Sequence, residues 1–291
     1  SGDGRCMNRR GATRGRIAWY RFSRGRFQVI GLVIVSLVSV GALAAPLIAP
    51  YPEHAGRFVD VENIYRAPDA QHLMGTDAVG RDVFSRLLFA YRSSMLLSIV
   101  VLALAVPVGV IVGLCAGYLG GWTETVAMRI TDIFLAVPSL VLAMAILGLF
   151  APSLTMTMIA VAVGWWPWYA RLVYNQTRSI CTEEYITAAH VTGASATRMM
   201  FTEILPVTSG TVLTKMTLDM GFVILLGSSL GFIGLGAQPP TPDLGTMVAE
   251  GTALLPDVWW QPVFASLAIL VVVLGFNLLG DGLRDLFGVE S

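Results

Sequence analysis

Residues 94–117 read SMLLSIVVLALAVPVGVIVGLCAG, an apolar run without a single charge. About twenty such residues, wound as a helix at roughly 1.5 Å each, cross the ~30 Å of hydrocarbon in a bilayer. The run therefore predicts a transmembrane helix. Working outward from it, five more segments of comparable length occur near 27–48, 130–150, 154–173, 211–236 and 262–280. Of the 291 residues, 55% are hydrophobic and 13% charged, against about a quarter charged in a soluble domain. The backbone of a spanning segment must satisfy its own hydrogen bonds in lipid, which favours helices here. The expected class is an all-α integral membrane protein with six transmembrane helices.

The formal net charge is zero, so the basic balance that nucleic-acid binding needs is absent, and lipid is the expected surrounding. Cys6, Cys115 and Cys181 lie far apart with no CxxC spacing, which indicates neither a disulfide framework nor a metal site. Residues 1–26 form an arginine-rich tail, with Met7 as a natural start. The apolar segment after the tail is too long for a cleaved signal sequence and is read as an uncleaved anchor. Fourteen of the nineteen basic residues fall on the side of the tail, the 174–206 loop and the C-terminus, and five fall in the 51–92 loop. By the positive-inside rule both termini and the 174–206 loop are cytoplasmic, and the loops 51–92 and 237–261 are external.

The longest polar connection of the second half contains EYITAAHVTGASATRMMFTEILP, residues 184–206. Ala188, Ala189, Gly193, Ala194 and Ser195 present little side-chain relief, so another backbone can approach closely. Gly193 interrupts a helix-forming run and Pro206 opens the next apolar segment, which predicts two short helices joined by a turn. In the external loop, Gly75 and Gly80 permit tight turns, and Thr76, Asp77, Arg81 and Asp82 stand beside them, the charged residues able to pair or cap a helix. From Asp82, apolar residues at helical spacing alternate with Ser85, Arg86 and Arg92, predicting an amphipathic helix on the membrane surface or against the bundle. This stretch is either an elbow into the second span or a surface that receives substrate or a docking protein.

Other polar residues carry smaller expectations. Trp165, Trp166, Trp168 and Tyr169 read as an interfacial aromatic girdle, and Arg129 as a partner for Asp132. Lys215 and Asp219, four apart, predict an ion pair within a span, making Asp219 a candidate pathway residue. Gly227 and Gly231 are candidate gating positions where that helix can bend or be approached closely. His54, His72 and His190 read as solvated loop histidines. No phosphate loop, HExxH or GxSxG is present, so no catalytic residue is assigned: the chain moves something, and ATP chemistry comes from another chain.

Four stretches are spread along the chain from residue 75 to 285: GTDAVGRDVFSRLL (75–88), GYLGGWTETVAMRITDIFLAVPSLVLA (117–143), the 184–206 loop, and LGFIGLGAQPPTPDLGTMVAEG (230–251) with NLLGDGLRD (277–285). In this order they resemble a permease subunit of ATP-binding cassette (ABC) importers of the dipeptide, oligopeptide and nickel class, the second or C-type permease of the pair. The resemblance implies a type I importer permease domain over 27–291 in a bacterial inner membrane. It also implies a heterodimer with a second permease, two ATPase subunits that use ATP and Mg, and an extracytoplasmic substrate-binding protein. No cofactor would sit on this chain. Glu184, Tyr185, Ala188, Ala189, Gly193, Ala194 and Ser195, with Leu205 and Pro206 at the end, fall on the coupling helix that docks on the ATPase. Departures are Thr187 in place of an acid, Glu203 in place of an isoleucine with Ile204 beside it, and Gly227 and Gly231 where relatives carry an acid and a serine. A self-contained secondary transporter or channel is the alternative; it would need inverted repeats, and no internal repeat is visible. The substrate stays open among peptides, nickel chelates, haem and other small solutes.

Overall fold

The structure, a computed structural model, describes residues 25–287. The expectations placed on residues 1–24, the arginines there included, lie outside the described residues. Helix α1 spans Arg26–Leu43, α2 Val83–Leu119, α3 Gly121–Ala136, α4 Ser139–Leu147 and α5 Leu154–Ile180. Then come α6 (Glu184–Val191), a short turn Ala196–Arg198, a π-helical stretch Met199–Ile204, α7 (Leu205–Phe232), α8 (Leu244–Thr252) and α9 (Trp260–Phe287).

Among the described residues four helical stretches are long and apolar enough to cross a membrane: Arg26–Leu43, Val83–Leu119, Ala196–Phe232 and Trp260–Leu286. The third expected span, near 130–150, is not one straight helix: α3 and α4 meet at 84° and reach five spans only if counted together. Pro138 causes the break, because a residue before proline is driven out of the helical region, and Val137 is extended at φ −95°, ψ 126°. The fourth expected span lies in α5, which has the length but not the apolar composition, since three tryptophans, two tyrosines, Pro167 and Arg171 dilute it. Those residues sit on a helix that runs through the interior, with Ala160, Tyr169, Ala170 and Val173 fully buried.

Close packing of α2 on α5 sets the bundle axis. Gly109, Gly113 and Gly117 lie one per turn, and a Cβ added to them would fall 2.5 Å from Trp166 O, 2.6 Å from Ala170 O and 2.6 Å from Thr177 Cβ. Small residues four apart let two backbones touch, which is the strongest form of packing where lipid removes the hydrophobic drive. The 83–92 stretch is not a separate surface helix: it is the first turns of α2, and Arg86, expected on a polar face, is 1% exposed. Outside the main core a second apolar cluster of Val83, Leu87, Leu244, Met247 and Trp260 binds α2, α8 and α9 together.

Candidate functional site

The 184–206 loop has two faces. Ile186, Met199, Met200 and Ile204 are buried in the main core, and Ala189 and Ala194 rest half-buried against it. Glu184, Tyr185, Ala188, Gly193 and Ser195 are exposed, as is Val191 at 83%. Gly193 ends α6 with a φ of +84°, a left-handed turn that glycine adopts at no steric cost, and a Cβ there would meet nothing within 4 Å. Ser195 caps the next turn by accepting from Arg198 N at 3.4 Å. The two helical pieces and the turn expected between them are therefore present. Leu205 is half-buried and Pro206 exposed in the first turn of α7, where a missing N–H costs nothing. The π-helical stretch widens the turn before α7 and aims Ile204 inward. This explains the Glu203–Ile204 departure: Ile204 takes the apolar position and Glu203 stays half-exposed.

At the other end of the bundle, Asp77 is completely buried. Its carboxylate accepts from Val79 N at 3.0 Å, Arg81 N at 2.9 Å, Arg81 Nε at 2.8 Å and Arg86 Nη1 at 2.5 Å. Arg86 also reaches Glu250 of α8 at 3.4 Å, and Gln261 of α9 donates to Glu250 at 3.2 Å. Trp260 Nε1 donates to Thr76 O at 3.1 Å. Asp82 caps α2 by accepting from Ser85 N at 2.8 Å and holds His72 Nδ1 at 3.0 Å. Gly75 and Gly80 turn the chain at φ +72° and +81°. The six residues of the 51–92 loop singled out from sequence thus form one knot that ties the loop to α8 and α9. His54 and His72, expected to be solvated, are buried in it: His54 Nδ1 accepts from Asp82 N at 2.8 Å, and its ring stacks on Phe58 at 4.0 Å. Burial lowers the His54 pKa, against Glu53 and Asp82, which raise it.

Inside the bundle the Lys215–Asp219 pair forms as expected, at 3.0 Å, with Asp219 only 3% exposed. Trp165 Nε1 donates to the other Asp219 oxygen at 3.0 Å, and Tyr169 is fully buried beside them, so the tryptophan run is not simply an interfacial girdle. Asp132 pairs with Arg171, not with Arg129. Gly227 and Gly231 are buried; a Cβ at Gly227 would stand 3.0 Å from the Leu97 side chain and one at Gly231 2.2 Å from Asp243 Oδ2. Asp243 caps α8 by accepting from Thr246 N at 3.1 Å. Among the described residues no group of three or more His, Cys, Asp or Glu side chains is placed to hold a metal ion.

Sequence reasoning gave no role to Glu250 or Gln261 and no partner to Arg86 or Trp165. A long side chain among apolar neighbours gives no sign of its partner when that partner lies on another helix. The glycine spacing at 109, 113 and 117 was the one legible signal left unread.

Two family models match the chain: binding-protein-dependent transport system inner membrane component, over residues 105–288, and N-terminal TM domain of oligopeptide transport permease C, over residues 13–68. The dipeptide transport system permease protein DppC of Escherichia coli strain K12 is 42% identical over 274 residues, 92% of this chain and 90% of that protein. The DppC of Haemophilus influenzae is 36% identical over 270 residues, 92% of both chains. The glutathione transport system permease protein GsiD of Escherichia coli O1:K1 / APEC is 38% identical over 267 residues, 92% of this chain and 88% of that one. Among solved structures, the MetNI methionine ABC transporter in inward-facing conformations matches with a TM-score of 0.53 at 18% identity, over 72% of this chain and 94% of that one. That likeness is one of fold.

Proposed function

We propose, from the premise that this chain belongs to the family of binding-protein-dependent transport system inner membrane components and is a C-type permease subunit of an ABC importer, that it passes peptides and takes its energy through the 184–206 loop. It is a multi-pass inner-membrane protein and not an enzyme; ATP is hydrolysed by separate ATPase subunits. In the proposed complex it pairs with a second permease, sits on two ATPases that hold ATP and Mg, and receives solute from an extracytoplasmic binding protein. Both termini and the 184–206 loop face the cytoplasm.

One observation carries the coupling reading: the loop is anchored on one side by four buried apolar residues and presents Ala188, Gly193 and Val191 on the other. An anchored underside turns a surface loop into a lever, and small exposed side chains allow an ATPase groove to close on its backbone. Gly227 and Gly231 give α7 its closest approaches to Leu97 and to Asp243, and re-packing at those contacts would gate the pathway near Asp219. Peptide cargo is supported by the dipeptide and oligopeptide permeases that the chain resembles throughout.

The test begins with co-purification of the assembled complex. Ala188→Asp places a charge on the exposed face and should abolish ATPase association while leaving the chain inserted. Gly193→Ala meets no atom of its own chain, so its strain of about 1 kcal/mol at positive φ stays local. A weakened association there reads the partner contact. Full association of both variants would overturn the coupling role. In liposomes, dipeptide uptake should require ATP and the binding protein; gradient-driven flux through this chain alone would overturn the importer reading.

A further inference from the structure

The 28 residues of α7 extend about 42 Å, and Lys215 and Asp219 stand about 15 and 21 Å from its start. Lys215 therefore stands about one turn inside the apolar part of the helix, which begins near residue 211, and Asp219 one turn deeper. Asp219 is turned inward, with one oxygen on Lys215 Nζ and the other on Trp165 Nε1, both at 3.0 Å. Lys215 is 29% exposed. Its ammonium lies 5.9 Å from the centre of the Trp168 ring and 5.6 Å from that of Tyr169. Asp219 engages one of the three ammonium donors, which leaves two for another acceptor. A lone lysine costs about 3 kcal/mol at the centre of a bilayer, and nearer a helix end its ammonium turns toward polar surroundings. Its open side belongs on water or on a ligand.

We infer that Lys215 is a carboxylate-binding subsite of the translocation pathway, held in place by Asp219 and Trp165 and walled by Trp168 and Tyr169. The inference rests on the permease and peptide reading above. Each oxygen of Asp219 accepts one donor inside the bundle, so the ammonium is the polar group that the pair turns outward, and a peptide offers one terminal carboxylate to it. Lys215 is the only lysine among nineteen basic residues. A mobile point charge binds and releases an anion more readily than the bidentate fork of arginine, which suits a site that must be left again.

The experiment uses the assembled importer in liposomes, with the binding protein saturated by either alanyl-alanine or its C-terminal amide. Maximal ATP-driven uptake should favour the free carboxylate in the unaltered complex. The double variant Lys215→Gln/Asp219→Asn removes both charges at once and avoids an unpaired buried carboxylate. It should lose that preference by about tenfold or more, the scale of one charge-assisted hydrogen bond, and Lys215→Arg should keep part of it. An unchanged ratio in the double variant overturns the subsite. In parallel, Lys215→Cys in a background with Cys6, Cys115 and Cys181 replaced by serine should react with a membrane-impermeant thiol reagent and be protected by dipeptide. No reaction overturns the inference by itself. If the unaltered complex moves neither peptide, the peptide reading fails, and the labelling still decides whether Lys215 faces the aqueous path.

Discussion

Asp77 accepts four N–H donors in full burial, three of them from two arginines. Buried charge is tolerated only when paired and hydrogen-bonded, and removing one partner is far costlier than the pair's net worth. Arg86→Met should therefore destabilise the chain by about 3–5 kcal/mol, read as a lowered thermal unfolding midpoint in detergent, with Arg86→Lys intermediate because it lacks the guanidinium fork. Asp243 tests the opposite sign. Burial, with the charge of Glu250 added, pushes its carboxyl up to about 6, against backbone donors from Thr246 and Gly245 that lower it. A carboxyl raised above its unfolded value stabilises fully below that value and loses the contribution as pH rises through the folded one. The window runs from about pH 4 to 6, and the loss is at most about 3 kcal/mol. Unfolding midpoints should fall across this window, and Asp243→Asn should flatten the dependence.

At the scale of elements, two features govern how the chain is built. The α2–α5 contact depends on glycines whose missing Cβ atoms would collide with backbone oxygens and a threonine side chain, which cannot move aside as the end of a flexible side chain can. Gly113→Ala should cost about 1–3 kcal/mol by overpacking, and Gly113→Leu should prevent the helices from pairing. Monodispersity and melting of the purified chain check both. The second feature is the π-helical stretch, which seats Met199, Met200 and Ile204 inward so that the face proposed for coupling points out. Deleting Thr202 should restore α-helical pitch, rotate Ile204 out of the core and uncouple ATP hydrolysis from uptake. Normal coupling in that variant would count against the lever.

The whole molecule is only partly clothed by itself. Of the sixteen residues of α3 only Met128 and Thr131 are buried, and Trp122 and Ile133 are 85% and 67% exposed. One face of such a helix can meet lipid, and the other is free for the second permease of the proposed pair. Binding a partner to the folded state alone stabilises it by about 2.7 kcal/mol at a hundred times the dissociation constant. Co-assembly with the second permease should raise the unfolding midpoint by several degrees; a midpoint equal to that of the lone chain would place this surface in lipid.

Composition and apolar runs determined by themselves that this is a helical membrane protein, because a segment that enters lipid must both hide its backbone bonds and carry enough apolar surface. The glycines of the 75–80 stretch, the Asp82 cap, the Lys215–Asp219 pair and the two helices around Gly193 were equally legible, since each is decided within a few residues of chain. What lay beyond reach depended on partners distant in sequence. Arg86 reads as a surface charge until Asp77 and Glu250 are folded around it, and Trp165 as an interfacial ring until Asp219 arrives from another helix. The burial of the weakly apolar α5 was likewise settled by tertiary structure. Packing inside a bundle supplies the burial that a segment's own composition does not declare, and it selects which polar groups are brought close enough to pair.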